Sequence, residues 1–453
     1  MQIVLVGAGK VGELLCTALA QEKHDVTLIE QNERRLEQLI NKTDITGVEG
    51  NGALLESQLE AGVDHCDIFI AVTPIDETNI IAAITARKIG ARHTIARVRS
   101  PEYSMQMQFL RESLGISTMI NPELEASRDI ARMIRFPEAL NIEYFDHGRV
   151  NILELVVHPD SDLVGLSLAD LGQTQSCILV CALQRGEDFF IPDGSSHIEA
   201  GDHLHVTGPD QDLLNFARRC RQLQQHNKSI RRALIVGGGR LTRYLLPRLE
   251  RMGIDSKVIE VQESSALTLA AAHPRAEIIC GDGTSQAFLK EERLARQDVF
   301  IALTGIDEEN ILISLFAAKE GVPRTITKVN RTDLLKVIDQ TALQAVITPR
   351  RIIANQIVRL VRSLANSQGS NVEAYYNLSD GKAELLQFRV SEDSPVCACN
   401  LMELKTKPGL LIASIIRDGD IIFPRGQNRL RPHDEVIVIT THPNFQDIRD
   451  ILA

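Results

Sequence analysis

Gln2-Ile3-Val4-Leu5-Val6-Gly7-Ala8-Gly9-Lys10-Val11-Gly12 opens as a short apolar strand and breaks into a glycine turn. The turn is a complete Gly-x-Gly-x-x-Gly in the context that gives it meaning, after a strand and at the start of a helix. Each glycine has its own job. Gly7 permits the tight turn, Gly9 lets the backbone approach a pyrophosphate without a Cβ in the way, and Gly12 lets helix and strand pack closely. The helix that opens at Lys10 and Val11 offers unpaired N–H groups to phosphates. Glu30 ends the next strand, 18 residues past Gly12. A carboxylate there accepts hydrogen bonds from the adenosine ribose and repels a 2′-phosphate, so NAD is expected over NADP.

Outward from this stretch, residues 1 to about 121 alternate short Val/Ile-rich strands with amphipathic helices. Strands are expected at 3–6, 26–29, 45–48, 68–72 and 94–98, with helices starting near Lys10, Glu33, Ala53, Asp76 and Glu102. That alternation implies a parallel sheet wound on both faces. The chain then repeats itself. Ile70-Ala-Val-Thr-Pro-Ile-Asp-Glu-Thr-Asn-Ile80 matches Ile301-Ala-Leu-Thr-Gly-Ile-Asp-Glu-Glu-Asn-Ile311 at eight of eleven positions. Gly50-Asn51-Gly52 recurs as Gly281-Asp282-Gly283, and Gly7, Gly9 and Glu30 recur as Gly237, Gly239 and Glu260.

The expected fold class is α/β, with two tandem Rossmann-like doubly wound parallel-sheet domains, each followed by a small α+β domain. The expected divisions are 1–122, a crossover helix in 123–141, a small domain at 142–222 and a polar linker at 223–231. The repeat follows as 232–348, a second crossover helix in 349–371 and a second small domain at 372–453. The small domains read as short strands with turn signals such as Pro192-Asp193-Gly194, closing with helices near 211–222 and 444–452. Helices 122–134 and 349–364 join the parts as candidate hinges and assembly surfaces. Ile352, Ile353, Ile357, Leu360 and Val361 give the second an apolar face broad enough to need a partner. The alternative is a helix packed within its own unit.

Composition narrows the function classes. With 453 residues, 44% hydrophobic, 24% charged and a net charge of −11, the chain suits a multidomain globular protein rather than a nucleic-acid groove. No apolar run reaches the roughly 18 residues of a spanning helix, and no signal peptide is read before the first strand. Membrane association is then expected only through a partner. The pairs Cys177/Cys181, Cys397/Cys399 and His203/His205 each fit one strand face, but Glu435 and Ile437 replace the histidines in the repeat. The cysteines read as small reduced core residues, and no metal site is expected.

The remaining candidate binding residues cluster at strand ends. Asn51 lies in the Gly-Asn-Gly turn, Thr73 and Pro74 end the fourth strand, and Arg97 ends the fifth. Arg97 is favoured as a phosphate contact because Lys328 keeps the charge in the repeat, whereas Asp76 reads as a helix cap. The second candidate site comprises Gly237, Gly238, Gly239, Arg240, Leu241, Glu260 and Thr304. Thr242 stands where its third glycine belongs, which should crowd the helix against the strand without touching the phosphate path.

These motifs, from 3–12 with Glu30 through Ala71-Val-Thr-Pro-Ile-Asp-Glu-Thr-Asn79 and Ile95-Ala-Arg-Val-Arg-Ser-Pro-Glu-Tyr103, together with their copies, resemble the TrkA family. These are potassium uptake proteins of the Trk system, built from tandem RCK domains (regulators of potassium conductance). The resemblance covers essentially the whole chain. It implies a peripheral subunit on the cytoplasmic face of the inner membrane, assembled as a homo-oligomeric ring beneath a transmembrane potassium transporter. It also implies that NAD(H) and adenine nucleotides such as ATP and ADP bind the Rossmann-like halves and alter transport. Glu30, where the family more often has Asp, and Thr242 depart from its pattern. An NAD-dependent dehydrogenase is the competing reading, but it needs an acid–base residue beside the nicotinamide. His158, His197 and His203 have no histidine counterparts in the repeat, so no enzyme and no catalytic residue are expected. A nucleotide-sensing module of another potassium channel or transporter is the nearer alternative.

Overall fold

Strand composition sets the architecture. Ile3, Val4, Leu5 and Val6, and Ile68 through Ala71, are all buried, as strands covered by helices on both faces require. The computed structural model describes residues 1–104, 106–145, 149–174, 177–221, 230–331, 334, 343–366, 372–378, 382–442 and 445–453. The linker expected at 223–231 lies largely outside them.

The first half runs β1 (Gln2–Val6), α1 (Lys10–Gln21), β2 (Asp25–Glu30), α2 (Glu33–Ile40), β3 (Thr46–Glu49) and α3 (Leu55–Glu60). It continues through β4 (Ile68–Ala71), α4 (Asp76–Ile89), β5 (His93–Arg97), α5 (Pro101–Ser104), α6 (Met107–Leu114), β6 (Thr118–Ile120) and α7 (Pro122–Arg135). The sheet order is β3-β2-β1-β4-β5-β6, parallel throughout. The sixth strand goes beyond the five read from the sequence. Thr118-Met119-Ile120 is too short for a periodic signal and is stopped at once by Asn121-Pro122.

The first small domain comprises β7 (Asn141–Phe145), β8 (Val150–Val156), α8 (Leu168–Thr174), β9 (Leu179–Arg185), β10 (Asp188–Phe190), β11 (His203–Thr207) and α9 (Asp210–Arg221). Its sheet, ordered β10-β9-β11-β8-β7, is antiparallel. Alternation assigns its faces: Leu204 and Val206 pack with Leu213 and Phe216 of α9, leaving His203 and His205 on the other face. Arg185 grips the fully buried Asp202 with two 2.8 Å hydrogen bonds. Arg417 does the same to Asp434 in the repeat.

The second half repeats the first as β12 (Arg232–Val236), α10 (Arg240–Arg251), β13 (Asp255–Glu260), α11 (Glu263–Ala272), β14 (Glu277–Cys280) and α12 (Gln286–Glu291). After these come β15 (Val299–Ala302), α13 (Asp307–Lys319), β16 (Arg324–Lys328), β17 (Ala345–Ile347) and α14 (Pro349–Asn366), with sheet order β14-β13-β12-β15-β16-β17. The second small domain carries β18 (Val372–Leu378), β19 (Ala383–Arg389), β20 (Leu410–Arg417), β21 (Asp420–Ile422) and β22 (Glu435–Thr440), ordered β18-β19-β22-β20-β21. Its expected closing helix is instead a 3-10 turn, Ile448–Ile451, started by a capping box at Asp447; Asn444 lies outside the described residues.

The compact units cut across the repeat. Met1–Arg135 clusters with Ser229–Val358, and Phe136–Lys228 with Arg359–Ala453. In the first unit α7 leaves its own half to pack on α10: Ala126, Ile130 and Ile134 share a core with Leu241, Leu245, Leu246 and Leu249. Arg248 Nε donates to Ser127 Oγ across this contact at 3.0 Å. In the second unit the free faces of the two small sheets meet, joining Phe145, Val150 and Ile152 to Leu385, Ile437 and Ile439. The apolar face of α14 does not wait for an outside partner, since Ile353, Ile357 and Val361 are already buried in the chain. Among the described residues, no helix is long and apolar enough to cross a membrane.

Candidate functional site

The glycine loop between β1 and α1 turns as its residues require. Gly7 has φ +104°, a conformation that side chains other than glycine rarely adopt. A Cβ on Gly12 would lie 2.0 Å from the Gly7 carbonyl oxygen, so a side chain there would force the helix to shift. Gly9 differs from both: its φ is −68°, and a Cβ there meets nothing within 4 Å. Its backbone does not need a glycine, and the space beside it is open.

The second loop keeps this geometry. Gly237 also has φ +104°, and Gly239 has φ −68° and open space beside it. Thr242 stays close to the loop, and its buried hydroxyl donates to the Gly237 carbonyl. The departure from the glycine pattern leaves the loop intact.

Glu30 has a role within the fold that its motif did not reveal. Its Oε2 accepts the Ala8 N–H at 2.6 Å and its Oε1 accepts the Asn32 N–H at 2.9 Å. Glu260 repeats both contacts with Gly238 and Gln262, at 2.6 and 2.9 Å. Each carboxylate pins its glycine loop and still has lone pairs for hydroxyl donors.

The repeated Asp-x-x-Asn motif is also structural. Asn79, fully buried, accepts the Thr73 N–H and donates to the carbonyls of Thr73 and Arg97, tying the ends of β4 and β5 together. Asn310 does the same between Thr304 and Lys328. Asp76 does not cap its helix by a side-chain bond; its Oδ2 accepts the Arg99 and Ser100 N–H groups at 2.9 and 2.8 Å. Asn51 folds its own turn, accepting the Ala53 N–H at 3.0 Å, and Asp282 does likewise with Thr284.

The two loops open on one cleft of about 450 Å³. Gly9, Lys10, Val11, Pro74 and Arg97 line it from the first half, and Gly239, Arg240, Leu241 and Lys328 from the second. Arg99, Glu123, Gly305, Asn330 and Arg350 also line it, and the sequence reading selected none of these for the site. A signal did exist, since Pro122-Glu123 and Pro349-Arg350 open the paired crossover helices.

Six cations face this space against the single carboxylate of Glu123, which binds Arg99 through Nε at 2.8 Å. Burial, reinforced by Arg99, pushes the Arg97 guanidinium down to about 10, so it stays charged at neutral pH. One of its terminal nitrogens donates to the Thr73 carbonyl at 2.6 Å, while its buried Nε has no partner. Lys328, also pushed down by burial, donates to the Leu303 carbonyl at 3.2 Å. An orphaned guanidinium donor and two cradles that a Cβ would fill fit a phosphate-bearing ligand. Among the described residues, no group of three or more His, Cys, Asp or Glu side chains is arranged to hold a metal ion.

Comparison with known proteins bears on the same residues. A family model described as the TrkA-N domain matches residues 3–122 and 233–349, and the TrkA-C domain matches 152–221 and 385–453. A Trk system potassium uptake protein TrkA homolog from Methanosarcina mazei is 32% identical over 446 residues, covering 97% of each chain. The Trk system potassium uptake protein TrkA of Vibrio alginolyticus is 28% identical, covering 98% of this chain and 97% of its own. A solved structure described as the GsuK channel bound to NAD shares the fold, with a TM-score of 0.62 at 17% identity, covering 98% of this chain and 77% of that one.

Proposed function

We propose that this chain, which belongs to the Trk system potassium uptake protein TrkA family, is the nucleotide-reading regulatory subunit of a potassium uptake system. The observation that carries the reading is the pair of glycine loops opening on one cationic cleft. The pyrophosphate of NAD(H) is held by the N–H groups at the start of α1, with Arg97 beside it and Glu30 on the adenosine ribose. Gly237, Gly238, Gly239, Arg240, Leu241, Glu260 and Thr304 form the corresponding second site. ATP and ADP share the adenosine and phosphate chemistry and compete there.

The working assembly is a homo-oligomer bound peripherally to a transmembrane Trk-type potassium transporter at the cytoplasmic face of the inner membrane. A ligand shifts the gate only by its differential affinity for two states. A tenfold preference contributes about 1.4 kcal/mol per site, so several sites acting together can switch a transporter. No step of this mechanism needs a catalytic residue, and incubation with NADH and carbonyl compounds is expected to give no turnover.

The test is titration calorimetry with NADH, NAD and NADP on the full chain and on Gly9→Val and Glu30→Gln. Glutamine keeps one acceptor for the loop while removing the charge. Both variants should lose about tenfold or more in NAD(H) affinity, and Glu30→Gln should narrow the discrimination against NADP. In cells lacking other uptake systems, the intact chain should restore growth at low potassium and Gly9→Val should not. Unchanged NAD(H) affinity in both variants overturns the site, and potassium uptake indifferent to deletion overturns the role.

A further inference from the structure

At the end of the second sheet away from its glycine loop, a pocket of about 430 Å³ lies where β12, β13 and β14 begin. It has five cations: Arg232, Lys257, Arg275, Arg293 and Arg296. The internal repeat acts as a control for them. The first half builds the same sheet with Gln2, Thr27, Asp44, Gly62 and His65 at the matching places, so the fold does not require this charge.

Three carboxylates share the pocket, and two are engaged. Glu277 and Glu292 both pair with Lys257, at 3.2 and 2.7 Å, which fixes one wall. The third, Asp255, is matched by Asp25 in the first half. Arg275 reaches out to Glu250 at 2.8 Å, and Arg232 lies 3.9 Å from Asp298. Among the described residues, the guanidinium groups of Arg293 and Arg296 have neither an ion pair nor a hydrogen bond.

Arg293 adds a backbone argument. Its φ is +60°, in the left-handed region, where the first half has Gly62 at +75°. A glycine serves this turn without strain, yet the second half carries an arginine.

We propose that this pocket is an anion site separate from the nucleotide cleft, taking a small, multiply charged oxyanion such as inorganic phosphate or pyrophosphate. Arg293 and Arg296 supply planar donor forks matched to phosphate oxygens, and Arg232 and Arg275 complete the positive rim. The site lies away from the carboxyl ends of the strands, where ligands of this fold class bind, so it shares no residue with the nucleotide cleft.

The experiment is equilibrium dialysis of labelled pyrophosphate and of inorganic phosphate against the full chain carrying Gly9→Val and Gly239→Val, which lowers the cleft's contribution and leaves the remainder common to both arms. To this background are added Arg293→Gly and Arg296→His, the residues the first half uses. Arg293→Gly relieves the strained backbone, so the melting temperature should hold or rise, separating lost binding from lost folding. The parent should bind pyrophosphate, more weakly at high salt, and the added pair should weaken it about tenfold or more. Equal affinity with and without the pair, or no binding of either anion by the parent, overturns the proposal.

Discussion

At Gly9 and Gly12 two glycines of one motif answer to different constraints. Gly9 has an ordinary φ and open space, whereas Gly12 sits against the Gly7 carbonyl. Gly9→Val should therefore leave the melting temperature nearly unchanged, while Gly12→Ala should cost about 1–3 kcal/mol through overpacking. Thermal unfolding of both variants checks this, and a Gly9→Val chain as unstable as Gly12→Ala would contradict the account. Residue types alone identified the loop, because the glycine spacing is tied to its geometry. The double duty of Glu30 was not legible, since its partners are backbone groups that any residue at positions 8 and 32 would supply.

The elements were legible where period and length agreed. Strands buried on both faces appear as apolar runs, and all five read in the first half are present, with Ile45, Val72 and Val98 falling just outside β3, β4 and β5. Three-residue β6 and the 3-10 turn Ile448–Ile451 are too short to show a period. Strand β11 shows what alternation misses. His205 lies on the face away from α9 and is only 2% exposed, with Phe189 at 5.6 Å and with Glu154 and His203 as its titratable neighbours. Burial holds its pKa below the ordinary value of 6.5, outweighing the attraction of Glu154. The sign follows: stability is fully present above about pH 6.5 and falls as pH drops through that value toward the folded-state pKa, because the unfolded chain takes up the proton first. Ile437 occupies the matching place in the repeat, so His205→Ile fits this position. That variant should show a shallower fall in melting temperature than the parent between about pH 7 and about pH 5.5, and parallel slopes would assign the acid sensitivity elsewhere.

For the unit made of the two Rossmann-like halves, the decisive feature is where α7 spends its apolar face. Periodicity announces that residues 122–134 need a partner but gives no address, so the sequence suggested a hinge or assembly helix. The address is the other half: Ile130 is fully buried with Ala233, Leu245 and Ile301. This packing and the Asn121–Tyr244 hydrogen bond, 2.9 Å, bring two glycine loops 230 residues apart in sequence to one cleft. If so, the halves do not unfold separately. Ile130→Ala removes core volume at their junction and should cost about 2–5 kcal/mol. Although Ile130 precedes the second half in the chain, amide exchange should rise in β12 and β15 as well as in β1 and β4. Loss of protection confined to residues 1–135 would mean that the halves are independent domains in light contact. A joint response would mean that a ligand at either loop acts on one cooperative body, the arrangement a nucleotide needs if binding at one site is to be felt at the other.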